Sequence, residues 1–251
     1  MFTRVKTPEE IEHMRVSGQL LAQVLQTLQK QATPGMSGKD AAEIAKRELA
    51  GLGGKHAFLG YGGFPDVICI SVNDEIVHGI PNAKPFQDGD IVSFDYGVNY
   101  NGMITDSAFT MVVGKTTQKD VQRLLKTTEQ SLYAGIEVVK NGVRTGDIAA
   151  AVQKVLDREQ LGIVRDLVGH GVGHHVHEDP NIPNYGVSGT GPTLKSGMTI
   201  AIEPMATLGD YRVTVDPDGW TIRTADHSLS AHFEHTVLIT DKGYEIITAW
   251  N

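Results

Sequence analysis

The chain has 251 residues, 40% apolar and 21% charged, with 22 Lys and Arg against 30 Asp and Glu for a net charge of −8. At this length roughly 75% of the unfolded chain's surface can be buried, enough for one large core, and an acidic balance without a Lys/Arg run argues against nucleic acid as the main ligand. The single cysteine, Cys69, excludes an intramolecular disulfide and a cysteine-based zinc site. Met1-Phe2-Thr3-Arg4-Val5-Lys6 leads into a polar segment without the apolar stretch of a signal peptide, and no run approaches the ~20 apolar residues of a membrane span, so the reading is a cytoplasmic protein.

Thr7-Pro8-Glu9-Glu10 is a helix start, with Thr as N-cap, Pro at the first helical position and Glu three residues on for a capping box. Ile11, Met14, Leu21, Val24, Leu25 and Leu28 then recur at helical spacing until Pro34-Gly35. A second helix is predicted over 38–49, followed by a Gly-rich irregular stretch over 51–63. The β-branched run 67–72 reads as a strand, and 91–96 and 103–113 read as two strands around the hairpin signal Asn99-Tyr100-Asn101-Gly102. The pattern then restarts. A long helix over 121–139 ends at Asn141-Gly142, a shorter one follows over 148–156, and strands are predicted at 163–168, 199–203, 211–215, 221–224 and 232–239.

The restart has a fixed offset. Gly35 and Gly142, Asp40 and Asp147, and Leu25 and Leu132 each stand 107 apart, and Gly89 to Asp95 matches Gly197 to Glu203 at 108. We expect one domain over 1–251 built from a duplicated αβ unit, roughly 7–113 and 117–240, with an insertion over 208–230. The implied fold class is α+β, two pseudo-symmetric halves around a shared sheet with the site between them. Two copies are too few for a solenoid.

Five polar positions interrupt apolar, β-prone runs: Asp95, Asp106, His170, Glu203 and Glu234. A buried carboxylate is costly unless something cationic meets it, and four of them with one imidazole are answered by a pair of divalent ions. Across the hairpin, Asp95 and Asp106 pair directly if Tyr100-Asn101 is the loop and lie diagonally on the same face if Asn101-Gly102 is. The offset places Glu203 in the opposing half at the position Asp95 holds in the first. Oxygen ligands plus one imidazole suit Mn, Fe, Co or Zn. Such ions would supply hydrolytic chemistry.

These residues resemble, in order and spacing, the ligand pattern of the type I methionine aminopeptidases of the pita-bread fold. Flanking stretches match as well: His78-Gly79-Ile80-Pro81, Gly169-His170-Gly171-Val172-Gly173, Ile202-Glu203-Pro204 and His232-Phe233-Glu234-His235-Thr236. The resemblance covers nearly the whole chain and is to the bacterial type, without an N-terminal zinc-binding extension or room for the helical subdomain of type II. It implies a curved antiparallel sheet and two divalent ions (Co, Mn, Fe or Zn), with Asp106 and Glu234 bridging them. Asp95 would complete one site, His170 and Glu203 the other. It further implies Glu203 as proton shuttle, His177 on the substrate carbonyl and His78 on the peptide beyond the scissile bond. Tyr61, Phe64, Cys69, His78 and Trp220 would form the methionine pocket. The substrate would be nascent polypeptide N-termini with a small second residue, the protein a monomer with transient ribosome association, and neither nucleic acid nor membrane a partner.

From the residues alone, Cys69 reads as a small core hydrophobe and Trp220 as a surface anchor in the insertion. Phe58, Phe64 and Val176 depart from the Cys, Tyr and Phe common in bacterial relatives, which touches pocket specificity and not the ligands. His174 and His175 read as surface or supporting groups before an extra metal site, His232 and His235 as partners of a ligand, and His13, His56 and His227 as solvated or capping residues. A prolidase or X-Pro aminopeptidase on the same fold is the nearest rival. Such enzymes generally carry a separate N-terminal domain and Arg-x-Glu-Asp at the last ligand. A non-catalytic peptide-binding module and a dinuclear phosphoesterase are more distant, since all five ligands remain and nothing Arg-rich surrounds them. No His-Glu-x-x-His, Gly-x-Ser-x-Gly or P-loop is present.

Overall fold

The computed structural model describes residues 3–250; Met1 and Phe2, where a leader would begin, and Asn251 lie outside that range. Helix α1 (Pro8–Gln31) starts as its sequence dictates: Thr7 Oγ1 accepts from the Glu10 amide at 3.2 Å while the Glu10 carboxylate accepts from the Thr7 amide at 2.8 Å. Its apolar stripe, Met14 to Leu28, is buried. Helix α2 (Gly38–Ala50) packs beside it, capped by Ser37 and Asp40. The short strand β1 (Lys55–His56) and a single turn at Tyr61–Gly63 occupy the stretch expected to be irregular, before β2 (Cys69–Val72) and β3 (Glu75–Val77). Then come β4 (Ile91–Tyr100) and β5 (Met103–Val112), with α1 lying across both.

The second half repeats the order. Helices α3 (Lys119–Glu137) and α4 (Thr145–Arg158) pack on each other and precede β6 (Gly162–Ile163), β7 (Gly169–Gly171), β8 (Glu178–Ile182), β9 (Thr199–Ile202) and β10 (Met205–Thr207). The insertion carries the hairpin β11 (Val213–Val215) and β12 (Ile222–Thr224); β13 (Ser230–His232), β14 (His235–Ile239) and β15 (Tyr244–Ile246) close the fold. Equivalent positions in the two halves share local geometry. Gly35 and Gly142 have φ of 92° and 88°, Gly89 and Gly197 have 92° and 83°, and Asp40 and Asp147 each accept from the amide at the N-cap of their helix.

The mixed α and antiparallel β content is that of the expected fold. Among the described residues the strands form four antiparallel sheets, ordered β1-β4-β2 with β5 on β4, β13-β10-β6, β11-β12-β3, and β15-β14-β9-β7-β8. One extensive apolar core runs through both halves, from Leu21 and Phe94 to Leu156 and Ile200.

Two expectations need correction, and β3, β8, β10 and β15 went unpredicted. The run 163–168 is a strand only at Gly162–Ile163; beyond it the chain turns toward β7. The stretch 232–239 is two strands broken at Phe233 and Glu234, because Glu234 leaves the β13 line to bridge Ala108 of β5. Strands β3, β8, β10 and β15 carry no alternation long enough to mark them in the sequence, and pairing partners alone make them strands.

Candidate metal centre

The hairpin decides how the first two carboxylates meet. Asp95 pairs with Ala108 and Gly97 with Asp106, so Asn101-Gly102 is the loop. Both loop residues take positive φ, 49° and 87°, the geometry that matches strand twist in a two-residue hairpin. Asp95 and Asp106 therefore sit diagonally on one face.

His170 is central in the three-residue β7. Glycines flank it because neighbours leave no room: a Cβ at Gly169 would lie 2.4 Å from the Ala201 carbonyl oxygen, and one at Gly171 would lie 2.7 Å from that of Asp179. The His170 Nδ1 donates to the Gly171 carbonyl at 2.9 Å, which leaves Nε2 facing the Glu203 carboxylate at 3.2 Å. Glu203 follows β9 directly, and its carbonyl accepts from the buried Asn184 amide at 3.0 Å. Glu234 exchanges backbone hydrogen bonds with Ala108, and the Ser107 hydroxyl donates to its carbonyl at 2.6 Å.

Ligand atoms of Asp106, His170 and Glu234 lie within 4.8 Å of one another, all buried. Asp95 adjoins Asp106 and Glu203 adjoins His170, so the five expected positions line one cavity. No lysine or arginine lines it among the described residues. Burial first, and then the charge of Glu203, pushes the Asp95 carboxyl up to about 8. Burial followed by the neighbouring carboxylates holds Asp106 and Glu234 well above the ordinary range. Asp95 Oδ1, Asp106 Oδ1 and Glu234 Oε1 are buried with no hydrogen-bond partner. A folded protein rarely leaves buried acceptors orphaned. The donor set therefore fits a divalent cation, which would partner all three.

The other wall of the cavity is apolar and aromatic. Phe58, Phe64, Cys69 and Val176 are buried together, with Trp220 packed edge-on to Phe64 at 5.2 Å and to His78 at 6.4 Å between ring centroids. Trp220 is thus a pocket residue, contrary to the surface anchor its place in the insertion suggests. The insertion hairpin is added to β3 of the first half, which brings its tip to the cavity. Cys69 is both a core hydrophobe and a lining residue. His78 holds a left-handed backbone, φ 59°, uncommon for a residue with a Cβ and a mark of strain kept at a site. At the cavity mouth, His177 packs on the His170 ring at 4.3 Å between centroids and hydrogen-bonds Tyr61 at 2.9 Å between Nδ1 and the hydroxyl. Desolvation, then the neighbouring His170 and His78, keeps its imidazole below the usual pKa.

The remaining histidines sort by contact. His174 pairs with Glu10 at 2.8 Å, away from the carboxylates, and His175 is exposed, so neither joins the cluster. His56 meets the Tyr96 hydroxyl at 2.7 Å, His227 meets Asp74 at 2.8 Å, and His13 packs on Tyr100. His235 lies behind the site against Thr248 and Tyr133. His232 is buried in the cavity wall, 3.7 Å from Glu203 and 3.8 Å from Glu234. Asn184 and Thr236, which hold the backbones of Glu203 and Asp106, escape a sequence reading because their partners are remote in the chain.

A donor set of four carboxylates and one imidazole, all but Glu203 buried, beside an apolar slot defines a metal-dependent hydrolase. The profile of metallopeptidase family M24 matches residues 12–241. The chain is 46% identical to methionine aminopeptidase 1 of Bacillus subtilis over 97% of its length and 98% of that protein, and 41% identical to the Escherichia coli methionine aminopeptidase over 99% and 94%. Its structure is similar to that of the Thermotoga maritima methionine aminopeptidase with a TM-score of 0.96, at 46% identity over 98% and 99% of the two chains. The prolidase of Pyrococcus furiosus, at 23% identity and a TM-score of 0.79, shares the fold. The chain belongs to metallopeptidase family M24.

Proposed function

We propose that this enzyme removes the initiator methionine from nascent polypeptides whose second residue is small. The observation that carries the reading is the single cavity joining the carboxylate cluster to an apolar, aromatic and sulfur-containing slot, the surroundings a thioether side chain favours. Two divalent ions (Co, Mn, Fe or Zn) would be held with Asp106 and Glu234 shared between them, Asp95 completing one set, and His170 and Glu203 the other. When bound, the ions supply Lewis acidity at the scissile carbonyl and a water acidic enough to attack at neutral pH.

The chain's own residues do the rest. The slot formed by Phe64, Cys69, His78, Trp220 and Tyr61 orients the first side chain. Glu203, partly open to the cavity, takes the proton from the attacking water and passes it to the leaving amine. His177 hydrogen-bonds the substrate carbonyl oxygen and the charge that develops on it, and the Tyr61 hydroxyl at Nδ1 orients the ring. His78 contacts the peptide beyond the scissile bond. A free amine beside Asp95 restricts cleavage to the first residue.

The whole chain acts as one duplicated catalytic domain, 1–251, with halves of roughly 7–113 and 117–240. It works as a monomer in the cytoplasm, associating transiently with ribosomes. No helix among the described residues is long and apolar enough to cross a membrane.

Hydrolysis of Met-Ala-Ser, other X-Ala-Ser peptides and X-Pro peptides, each with Mn, Co, Fe and Zn, tests the proposal. Preference for Met-Ala-Ser supports it; preference for X-Pro peptides transfers the enzyme to the prolidase type. Peptide binding without turnover under any metal would leave a binding module.

A further inference from the structure

The segment that carries His177 is held from outside the site. Residues 173–178 form a tight loop between β7 and β8, and one buried ion pair spans from it to the start of the chain. Lys6 Nζ lies 3.3 Å from Glu178 Oε2, with side-chain exposures of 0% and 2%, and 2.6 Å from Thr3 Oγ1. The other Glu178 oxygen, Oε1, accepts from the His174 amide at 2.9 Å and the His175 amide at 3.0 Å. The Lys6 stem covers Gly173, where a Cβ would lie 2.5 Å from Lys6 Cε and where φ is +142°. Two further contacts join the same segments: the Thr3 amide donates to the Asp179 carbonyl at 2.5 Å, and His174 pairs with Glu10, whose carboxylate also caps α1. At its other end the loop is tied to β5, where the Ile104 amide donates to the Gly173 carbonyl at 2.7 Å.

A buried ion pair is poor evidence of stabilisation, because an apolar pair of equal volume serves as well or better. What this pair adds is geometry. One carboxylate is shared between an anchor on the N-terminal segment and two amides of the loop, and the residue immediately before it is His177. Residues 3–10 are not among the residues that line the cavity.

We propose that residues 3–10 act as a clasp, with Lys6 and Glu178 as positioning residues that fix the 173–178 loop and so set His177 over the scissile carbonyl. The proposal rests on the substrate-contact reading of His177. Lys6 works through this loop and has no part in holding metal.

The test is a double-mutant cycle of Lys6→Met with His177→Ala in the full-length, metal-loaded enzyme, combined with hydrogen exchange across 173–178. Alone, K6M should lower kcat on Met-Ala-Ser by about 10- to 100-fold, the size of effect that misplacing a positioned group produces. Metal affinity should stay within about twofold, and the His174 and His175 amides should exchange faster. In the H177A background, K6M should cost less than about twofold further, because its route to the substrate is gone. Additive losses, or unchanged exchange in K6M, would overturn the clasp while leaving His177 in its role. Full activity in H177A would remove His177 from the substrate contact and take the clasp's purpose with it. Should K6M not fold, Glu178→Gln, which keeps an acceptor for both amides, replaces it in the same cycle with the same outcomes.

Discussion

A single hydroxyl, that of Thr236, holds both backbone polar groups of Asp106: it accepts from the Asp106 amide at 2.9 Å and donates to the Asp106 carbonyl at 2.8 Å. Asp106 lies in β5 of the first half and Thr236 in β14 of the second, two residues beyond Glu234. The contact therefore registers two carboxylates from opposite halves at the spacing the cluster requires. Both residues are buried.

Thr236→Val keeps the shape and removes the hydroxyl. Two buried backbone groups lose a partner, at about 1–3 kcal/mol each, so the melting temperature should fall markedly and metal affinity with it. Thr236→Ser should stay within ~1 kcal/mol of the parent in denaturant unfolding. Equal stability in the two variants would show that the hydroxyl does not register the halves.

His170→Ala removes the only imidazole in the three-residue cluster whose ligand atoms lie within 4.8 Å. Metal affinity by calorimetry should drop at least about tenfold, the lower end of what losing even a supporting partner of a ligand costs, and activity should follow. The far-ultraviolet circular dichroism should be unchanged, since β7 pairs through its backbone. A variant with full activity and parental affinity would take His170 out of the site.

Metal uptake should release protons. The Asp95 carboxyl is pushed from 3.8 up to about 8 without metal, by burial and then Glu203, so at pH 7 the metal-free cluster retains protons that a cation must displace. Affinity should rise from pH 6 to 8, and the binding heat should depend on the ionisation enthalpy of the buffer. The sign for stability is the reverse. The folded metal-free protein holds this proton where the unfolded chain does not, so the group's contribution is complete below about pH 4 and is lost as the pH climbs through about 8. Binding heats identical in phosphate and Tris would contradict the displacement.

Gly97→Ala tests the slot. A Cβ there would lie 2.5 Å from Phe58 Cε1 and 2.9 Å from Cδ1, so the ring must move. Overpacking of this kind costs about 1–3 kcal/mol. The KM for Met-Ala-Ser should rise by roughly tenfold while metal affinity is retained, because the atoms nearest the added Cβ belong to Phe58 and Ala57. An unchanged KM would mean that the Phe58 ring does not bound the substrate side chain.

Arg223 holds the insertion hairpin in place. It pairs with Asp216 and Asp74 at 2.6 Å and with Glu75 at 3.1 Å, tying β12 to β3 three residues from Trp220. Arg223→Met should leave the three carboxylates repelling one another, loosen the hairpin, shift tryptophan emission and raise KM severalfold with little change in metal affinity. Tryptophan emission and KM both at parental values would separate Arg223 from the pocket.

Much of this protein is legible in one dimension. The capping box at Thr7 and Glu10, the apolar stripe of α1 and the presence of a hairpin turn within Asn99 to Gly102 are local, since each satisfies its own hydrogen bonds or periodicity within a few residues. The paired glycines and acids at offsets of 107 and 108 are visible because a duplicated unit repeats its turn chemistry. The acids in apolar strands declare themselves because a buried carboxylate without a counter-charge is too costly to be incidental. What the tertiary structure alone decided lies in contacts between residues far apart in the chain. It chose the diagonal arrangement of Asp95 and Asp106 through the hairpin register. It broke 232–239 so that Glu234 could reach Ala108, and it carried Trp220 from an insertion into the pocket by adding β12 to β3. It buried Lys6 against Glu178 across 172 positions. No local signal encodes such pairs, because the energy that selects them appears only when both partners leave water together.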